Sequence, residues 1–265
     1  MKSLFILIPG NPSVPGVYAP FMRQLTNDLN LSGEVETEIL YHLGQCNTKI
    51  GKLSKISLSE VIADHKKSIT NLIQLHKANK VYLISHSLGS AVSISLNEHL
   101  KDKIDKFFIL CPFMGPSKVN MNYLKIFKNP ISRYGLALGS KAILSNKEVS
   151  RRFFTRWLGD NELNDVIISE IKKSNFINHF FILVSGYFKD FEHLNIKEAV
   201  KKLDPNKTFF IFAKEDFWVP IEYTKLLPES SKFKVLDDIS HDFCLFGSQC
   251  KKVSEVISKE IFLQS

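Results

Sequence analysis

The sequence predicts an α/β fold: about six mostly parallel strands in one sheet, helices on both faces, and a helical cap inserted late in the chain. Three observations predict it. Short, continuously apolar runs recur at Leu4–Ile8, Val81–Ile84, Lys106–Cys111 and Thr208–Ala213, and unbroken apolarity marks strands buried on both faces rather than on one. Amphipathic helical patterns separate these runs. At Val81-Tyr82-Leu83-Ile84-Ser85-His86-Ser87-Leu88-Gly89-Ser90-Ala91 an apolar run stops at a small-X-Ser-X-Gly turn and a small-residue helix begins.

In chain order, Leu4–Ile8 reads as the first strand, followed by the rigid loop Pro9-Gly10-Asn11-Pro12-Ser13-Val14-Pro15-Gly16. Tyr18–Leu29 carries Phe21, Met22, Leu25 and Leu29 on one helical face. Glu34–Tyr41 reads as the second strand, with His42-Leu43-Gly44-Gln45-Cys46 as the loop at its end. A long helix is expected over Leu58–Lys77, capped by Ser57 or Ser59. His65 and His76 on that helix read as packing or surface residues. The central strand and helix follow, then Lys106–Cys111. From Phe113 to about Val200 the strand–helix alternation lapses into helical, Phe-, Leu- and Ile-rich patterns, which read as the cap. Strands resume at Thr208–Ala213 and Phe233–Leu236, and a helix over Gln249–Leu263 closes the chain. The expected organisation is a core of residues 1–112 and 201–265 with a cap of residues 113–200. Antiparallel strands ahead of this core are not expected, since the chain opens almost at the strand before the Pro-Gly-Asn loop.

At 265 residues and 44% hydrophobic, the chain can bury a full core. A net charge of +8 raises the question of an anionic partner, but no Lys/Arg block or nucleic-acid-binding motif accompanies it, so no nucleic acid is expected. Cys46, Cys111, Cys244 and Cys250 are scattered without a C-x-x-C pair. Neither a metal site nor a disulfide framework is expected, and a cytoplasmic, reducing setting fits. The apolar start ends at Pro9-Gly10, too early for a signal peptide, and no run approaches the length of a membrane span.

The turn at Ser87 reads as a nucleophile elbow. A serine held in strained backbone angles between strand and helix needs small neighbours two residues away on each side, and Ser85 and Gly89 meet that demand. The pattern alone is common, so the downstream residues matter. Ser87, then Ala213-Lys214-Glu215-Asp216-Phe217-Trp218-Val219-Pro220, then Ile239-Ser240-His241-Asp242-Phe243 give the chain order Ser, Asp, His of the α/β-hydrolase fold. His241 is the candidate base, in the loop after the last strand. Asp216 is the preferred acid, with Glu215 and Asp242 as rivals. His86 has to turn away from the strained turn. The backbone N–H groups of Asn11 and Leu88 are the candidate oxyanion donors. No cofactor or metal is needed for such chemistry.

These motifs resemble the lipid-droplet-associated hydrolase family over most of the chain. Ile8-Pro9-Gly10-Asn11-Pro12 followed by Tyr18-Ala19-Pro20-Phe21 is similar to the family's Pro-Gly-Asn-Pro-Gly and Tyr-x-x-Phe segments. His65-Lys66, Ser87-Leu88-Gly89-Ser90, Asp216 with Trp218 and Pro220, and His241 with Phe243 match further. Three positions depart: Ser85 replaces a glycine of the elbow, Ser13 the second glycine of the oxyanion loop, and Gln45 a histidine after His42-Leu43-Gly44. The resemblance implies a serine hydrolase linked to neutral lipid or sterol esters.

The expected activity is therefore carboxylic ester hydrolysis through an acyl-serine, on esters of lipid or other hydrophobic alcohols. A thioesterase or acyltransferase with the same triad, and a low-turnover lipid-surface binding protein, are the alternatives. Residues 113–200 hold 13 Lys plus Arg against 8 Asp plus Glu, an excess of 5 positive charges. In Arg151-Arg152-Phe153-Phe154-Thr155-Arg156-Trp157-Leu158, Phe153 and Trp157 share a helical face, as do Arg152 and Arg156. Two readings stand: peripheral contact with an anionic lipid surface, or a cap helix packing its aromatics inward.

Overall fold

The computed structural model describes residues 2–29, 33–45, 56–115, 117, 129–159, 162–172, 180, 184, 190–191 and 193–263. Cys46 and the side chain of Trp157 lie outside the described residues. The strands are β1 Ser3–Ile8, β2 Val35–Ile39, β3 Lys80–His86, β4 Lys106–Leu110, β5 Thr208–Ala213 and β6 Lys232–Leu236. They form one sheet in the order β2-β1-β3-β4-β5-β6, and each adjacent pair is parallel.

The apolar runs lie where burial is complete: every residue of β1, β4 and β5 is buried, whereas the edge strands β2 and β6 are partly open. The helices are α1 Ala19–Leu29, α2 Leu58–His76, α3 Leu88–Leu100, α4 Pro130–Ser145, α5 Lys147–Leu158, α6 Leu163–Lys172, α7 Ile196–Val200 and α8 Gly247–Phe262. On one face of the sheet α1 and α8 pack together through Phe21, Leu25, Val253, Ile257 and Ile261, against Phe5, Leu7 and Ile211. On the other face α2, α3 and α7 bring Val61, Ile69, Val92, Ile94, Ile196 and Val200 against Leu4, Ile6, Leu83 and Ile109. Each such side chain, fully buried, stabilises the fold by about 1.5–3 kcal/mol. The range read from the sequence as a cap thus ends in α7, a helix packed on α3. Within residues 113–200, α4, α5 and α6 lie after β4 and before β5.

Ser57, not Ser59, caps α2: its hydroxyl accepts from Glu60 N, and the Glu60 carboxylate accepts from Ser57 N at 2.7 Å. Such a box is worth about 1 kcal/mol.

Register decides where function can sit. Ile8 pairs with Ser85, His86 with Leu110, Leu110 with Ile211 and Ala213 with Leu236. The carboxyl ends of the strands are therefore level, so the loops after β1, β3, β5 and β6 leave from one edge, the usual place for a site in a parallel sheet.

Candidate active site

Ser87 sits at φ 52°, ψ −117°, between the last residue of β3 and the first of α3. Only a sharp strand-to-helix turn imposes such angles on a non-glycine residue, and it lifts the hydroxyl clear of the sheet edge. Gly89 permits the turn, since a Cβ there would come within 2.4 Å of Ile8 O and 2.5 Å of Pro9 O.

The residues singled out downstream converge on it. Ser87 Oγ is 2.9 Å from His241 Nε2, and His241 Nδ1 is 2.7 Å from Asp216 Oδ2. A carboxylate only accepts, so Nδ1 carries the proton and the Nε2 lone pair faces the serine hydroxyl. The Asp216 side chain has 0% exposure, and its other oxygen accepts from the N–H groups of Trp218 at 2.8 Å and Val219 at 2.9 Å. Asp216 is thus fully bonded and cannot swing away. Of its rivals, Glu215 makes no recorded bond to the base, and Asp242 is left without a hydrogen-bond partner for its carboxylate among the described residues.

Backbone accounting narrows the donors available to a developing oxyanion. Ser87 N–H is spent on Leu110 O at 3.0 Å and Gly10 N–H on the Tyr18 hydroxyl at 2.9 Å. Pro9 and Pro12 have none. The N–H groups of Asn11 and Leu88 have no acceptor among the described residues, and both residues line the cavity beside Ser87.

Two groups of residues near the site escaped the reading of the sequence. His86 is not a bystander: Tyr18 Oη lies 2.7 Å from its Nδ1, and its Nε2 is 2.9 Å from the carbonyl oxygen of His241. The carbonyl can only accept, so Nε2 carries the proton, Nδ1 accepts from the Tyr18 hydroxyl, and that hydroxyl accepts from Gly10 N–H. The chain Gly10–Tyr18–His86–His241 ties together the loops after β1, β3 and β6. It requires a neutral imidazole, and burial, then the neighbouring His241, holds the His86 pKa well below its ordinary value.

The second group contains both departures in the loops. Gln45 Oε1 accepts from Ser13 N–H at 2.5 Å and its Nε2 donates to Asn11 Oδ1 at 2.6 Å, while Ser13 Oγ accepts from His42 N–H at 3.1 Å. The two unusual residues are thus bonded to each other and hold the Asn11 loop. Beneath them His42 Nδ1 lies 2.9 Å from His65 Nε2. His65 is therefore a packed core residue, and His76 meets Glu38 at 3.0 Å.

A cavity of about 460 Å³ opens above Ser87. The loops line one side, with Asn11, Tyr18, Ser87, Leu88 and His241, and the inserted stretch lines the other with Phe154, Ile167, Ile171, Phe180 and Val184. Its surface is mostly apolar, as in sites for hydrophobic ligands. Among the described residues His86, Cys111 and His241 could each turn one donor atom toward an ion, but all four imidazole nitrogens are already hydrogen-bonded. The thiols of Cys111 and Cys244 are pushed well up by burial, and Cys250 to about 11, which makes them poor nucleophiles and ligands at neutral pH.

Sheet order, elbow and loop placement are those of the α/β-hydrolase fold, and solved structures agree. A peroxisomal α/β-hydrolase from Saccharomyces cerevisiae superposes with a TM-score of 0.71 at 12% identity, covering 100% of this chain and 78% of that one. An epoxide hydrolase from Vigna radiata does so at 0.70 and 16% identity, covering 99% and 91%. At the level of sequence, residues 1–244 match the model of the lipid-droplet associated hydrolase family. The chain belongs to that family and is a hydrolase of the α/β-hydrolase superfamily. A lipid droplet-associated hydrolase of Rattus norvegicus is 24% identical over 273 residues, 94% of this chain and 82% of the relative. One of Drosophila melanogaster is 27% identical over 121 residues, 42% of this chain and 38% of the relative. No helix among the described residues is long and apolar enough to cross a membrane.

Proposed function

We propose that this hydrolase cleaves carboxylic esters of hydrophobic acids or alcohols through an acyl-Ser87 intermediate. The observation that carries the reading is the unbroken chain Ser87 Oγ, His241, Asp216, with spacings of 2.9 and 2.7 Å. A serine hydroxyl is a weak nucleophile until a base takes its proton. As Ser87 Oγ attacks the acyl carbon, its proton passes to His241 Nε2, and Asp216 stabilises the imidazolium. The acyl oxygen becomes an anion held by Asn11 N–H and Leu88 N–H. The imidazolium then protonates the departing alcohol oxygen. Water, deprotonated by the same nitrogen, releases the acid and restores the serine.

The apolar cavity supports a hydrophobic substrate, and residues of α5 and α6 on its far side support a core of residues 1–112 and 201–265 under a cap of residues 113–200. The same geometry serves a thioester, or an acyl transfer in which an alcohol replaces water. A fluorophosphonate probe with an ester panel of graded acyl length tests the reading. The expected result is stoichiometric labelling at Ser87, none in Ser87→Ala, and turnover that rises with acyl hydrophobicity. Folded protein that does not label would leave a lipid-surface binding role instead.

Contact with a lipid surface through the cap is part of the proposal. On α4, Ile131, Tyr134 and Leu138 are 82%, 69% and 50% exposed and recur at helical spacing, a row of apolar side chains left uncovered by the described residues. On α5, Arg151, Arg152 and Arg156 are exposed. Apolar anchors beside cations suit an anionic interface, as the relatives' lipid-droplet name also supports. Flotation with vesicles is expected to depend on anionic lipid and to weaken in Ile131→Ser/Leu138→Ser; binding indifferent to both would remove the cap from this role. A cytoplasmic protein peripheral at such a surface is the setting we propose.

A further inference from the structure

Asp216 supplies the acid, yet a second carboxylate stands in the same loops with nothing assigned to it. Asp242 follows the base directly and precedes the short turn Phe243–Leu245, but its side chain caps no N–H, and it makes no ion pair or side-chain hydrogen bond among the described residues. Its neighbours are satisfied by one another: Asp216 by Trp218, Val219 and His241, Tyr18 by Gly10 and His86. Asp242 lines the cavity beside Tyr18, His241, Cys244 and Leu245. Its charge is felt there, since it raises the pKa of both the Tyr18 hydroxyl and the Cys244 thiol. The residue is exposed, and yet burial, ahead of attraction to His241 and repulsion from Asp216, raises its own pKa.

A carboxylate on the cavity wall with no protein donor gains a charge-assisted hydrogen bond from any ligand that brings one. In a mostly apolar cavity a charged group without a protein partner helps to fix the orientation of what binds. The chemistry says which half of the substrate it meets. His241 Nε2 must hand its proton to the oxygen of the departing alcohol, so the alcohol half lies on the side of His241, and Asp242 is the next residue. An ionised carboxylate accepts and never donates, so it rewards a hydroxyl on that alcohol and disfavours an ether or a second anion there.

We propose that Asp242 anchors the alcohol half of the substrate and selects esters whose alcohol keeps a free hydroxyl beside the ester linkage, that is, partial esters of polyols. This rests on Ser87 being the acylated nucleophile. The test compares, within each protein, kcat/KM for a glycerol monoester and for its dimethyl ether of the same acyl chain. The wild-type ratio is expected to favour the free hydroxyls by about tenfold or more, the usual worth of a hydrogen bond to a charged group. Asp242→Ala is expected to bring the ratio close to one, and Asp242→Asn, whose amide oxygen still accepts, to keep part of it. Fluorophosphonate labelling at Ser87 separates the outcomes. Labelled protein whose ratio is near one, or is unchanged by Asp242→Ala, overturns the role of Asp242 alone. Wild-type protein that neither labels nor turns over either ester overturns the acyl-serine reading, and this proposal with it.

Discussion

The cavity above Ser87 has two walls built on different principles. The wall at the sheet edge is held by directional bonds: Asp216, His241, His86, Tyr18 and Gln45 each have their polar atoms committed at 2.5–2.9 Å. The opposite wall, Phe154, Ile167, Ile171, Phe180 and Val184, meets the cavity only with carbon. Hydrogen bonds fail over fractions of an ångström, whereas apolar contact is nearly indifferent to direction. On the proposed function the first wall carries the reaction and the second receives substrate, and substitutions in each are expected to differ in size and in kind.

The sharpest break of that contrast is at Ser87, the proposed nucleophile. Ser87→Ala is expected to lower kcat by about 10⁶-fold while the thermal midpoint stays close to wild type, measured by turnover and calorimetry. Asp216→Asn comes next. It keeps the shape but presents a donor to His241 Nδ1, and a loss of about 10⁴-fold in kcat is expected with KM little changed. Tyr18→Phe probes the tether between loops: it strips Gly10 N–H of its acceptor and His86 Nδ1 of its donor. The loss is expected to be about ten- to a hundredfold in kcat, the worth of one or two buried hydrogen bonds, with fluorophosphonate labelling slowed in proportion.

Acid sharpens the comparison through stability rather than rate. His42 is held down to about 4 from 6.5 by burial, and the same cause keeps His65 and His86 well below their ordinary range. The unfolded chain binds these protons first, so their stabilisation is complete above pH of about 6.5 and declines as pH falls toward about 4. For His42 alone, that drop of about 2.5 pH units corresponds to about 3 kcal/mol. Urea midpoints measured across this window are expected to fall with pH, and a flat profile would mean that the folded protein takes up these protons as readily as the unfolded chain. The smallest effect is expected on the carbon wall. Ile171→Ala should shift acyl-length preference with kcat/KM changed by no more than about tenfold, read from the ester panel.

Much of this architecture was open to reading before folding. The elbow is a local constraint, because a strained serine dictates the size of residues two positions away, so Ser85, Ser87 and Gly89 announce themselves. His241 follows from chain order, Asp216 was preferred there over Glu215 and Asp242, and the structure places both at bonding distance. Strand β2 was less legible: pairing with β1 runs only from Val35 to Ile39, shorter than the strand read over Glu34–Tyr41. His86 was underrated, since its bonds reach 68 residues back to Tyr18 and 155 forward to His241. Ser13 and Gln45, taken singly, looked like two departures in a loop, and only their contact across 32 residues makes them one feature.

The sequence by itself determined the periodicities, the turn that exposes Ser87, and the order of the three polar residues. Those properties depend on neighbours a few positions away. Tertiary structure alone decided which of three carboxylates reaches His241, which amides lack an acceptor among the described residues, and that Asp242 lines the cavity without a side-chain partner among them. Such outcomes depend on groups brought within 3 Å by strand register and loop packing, and no spacing along a chain encodes a hydrogen bond between residues so far apart.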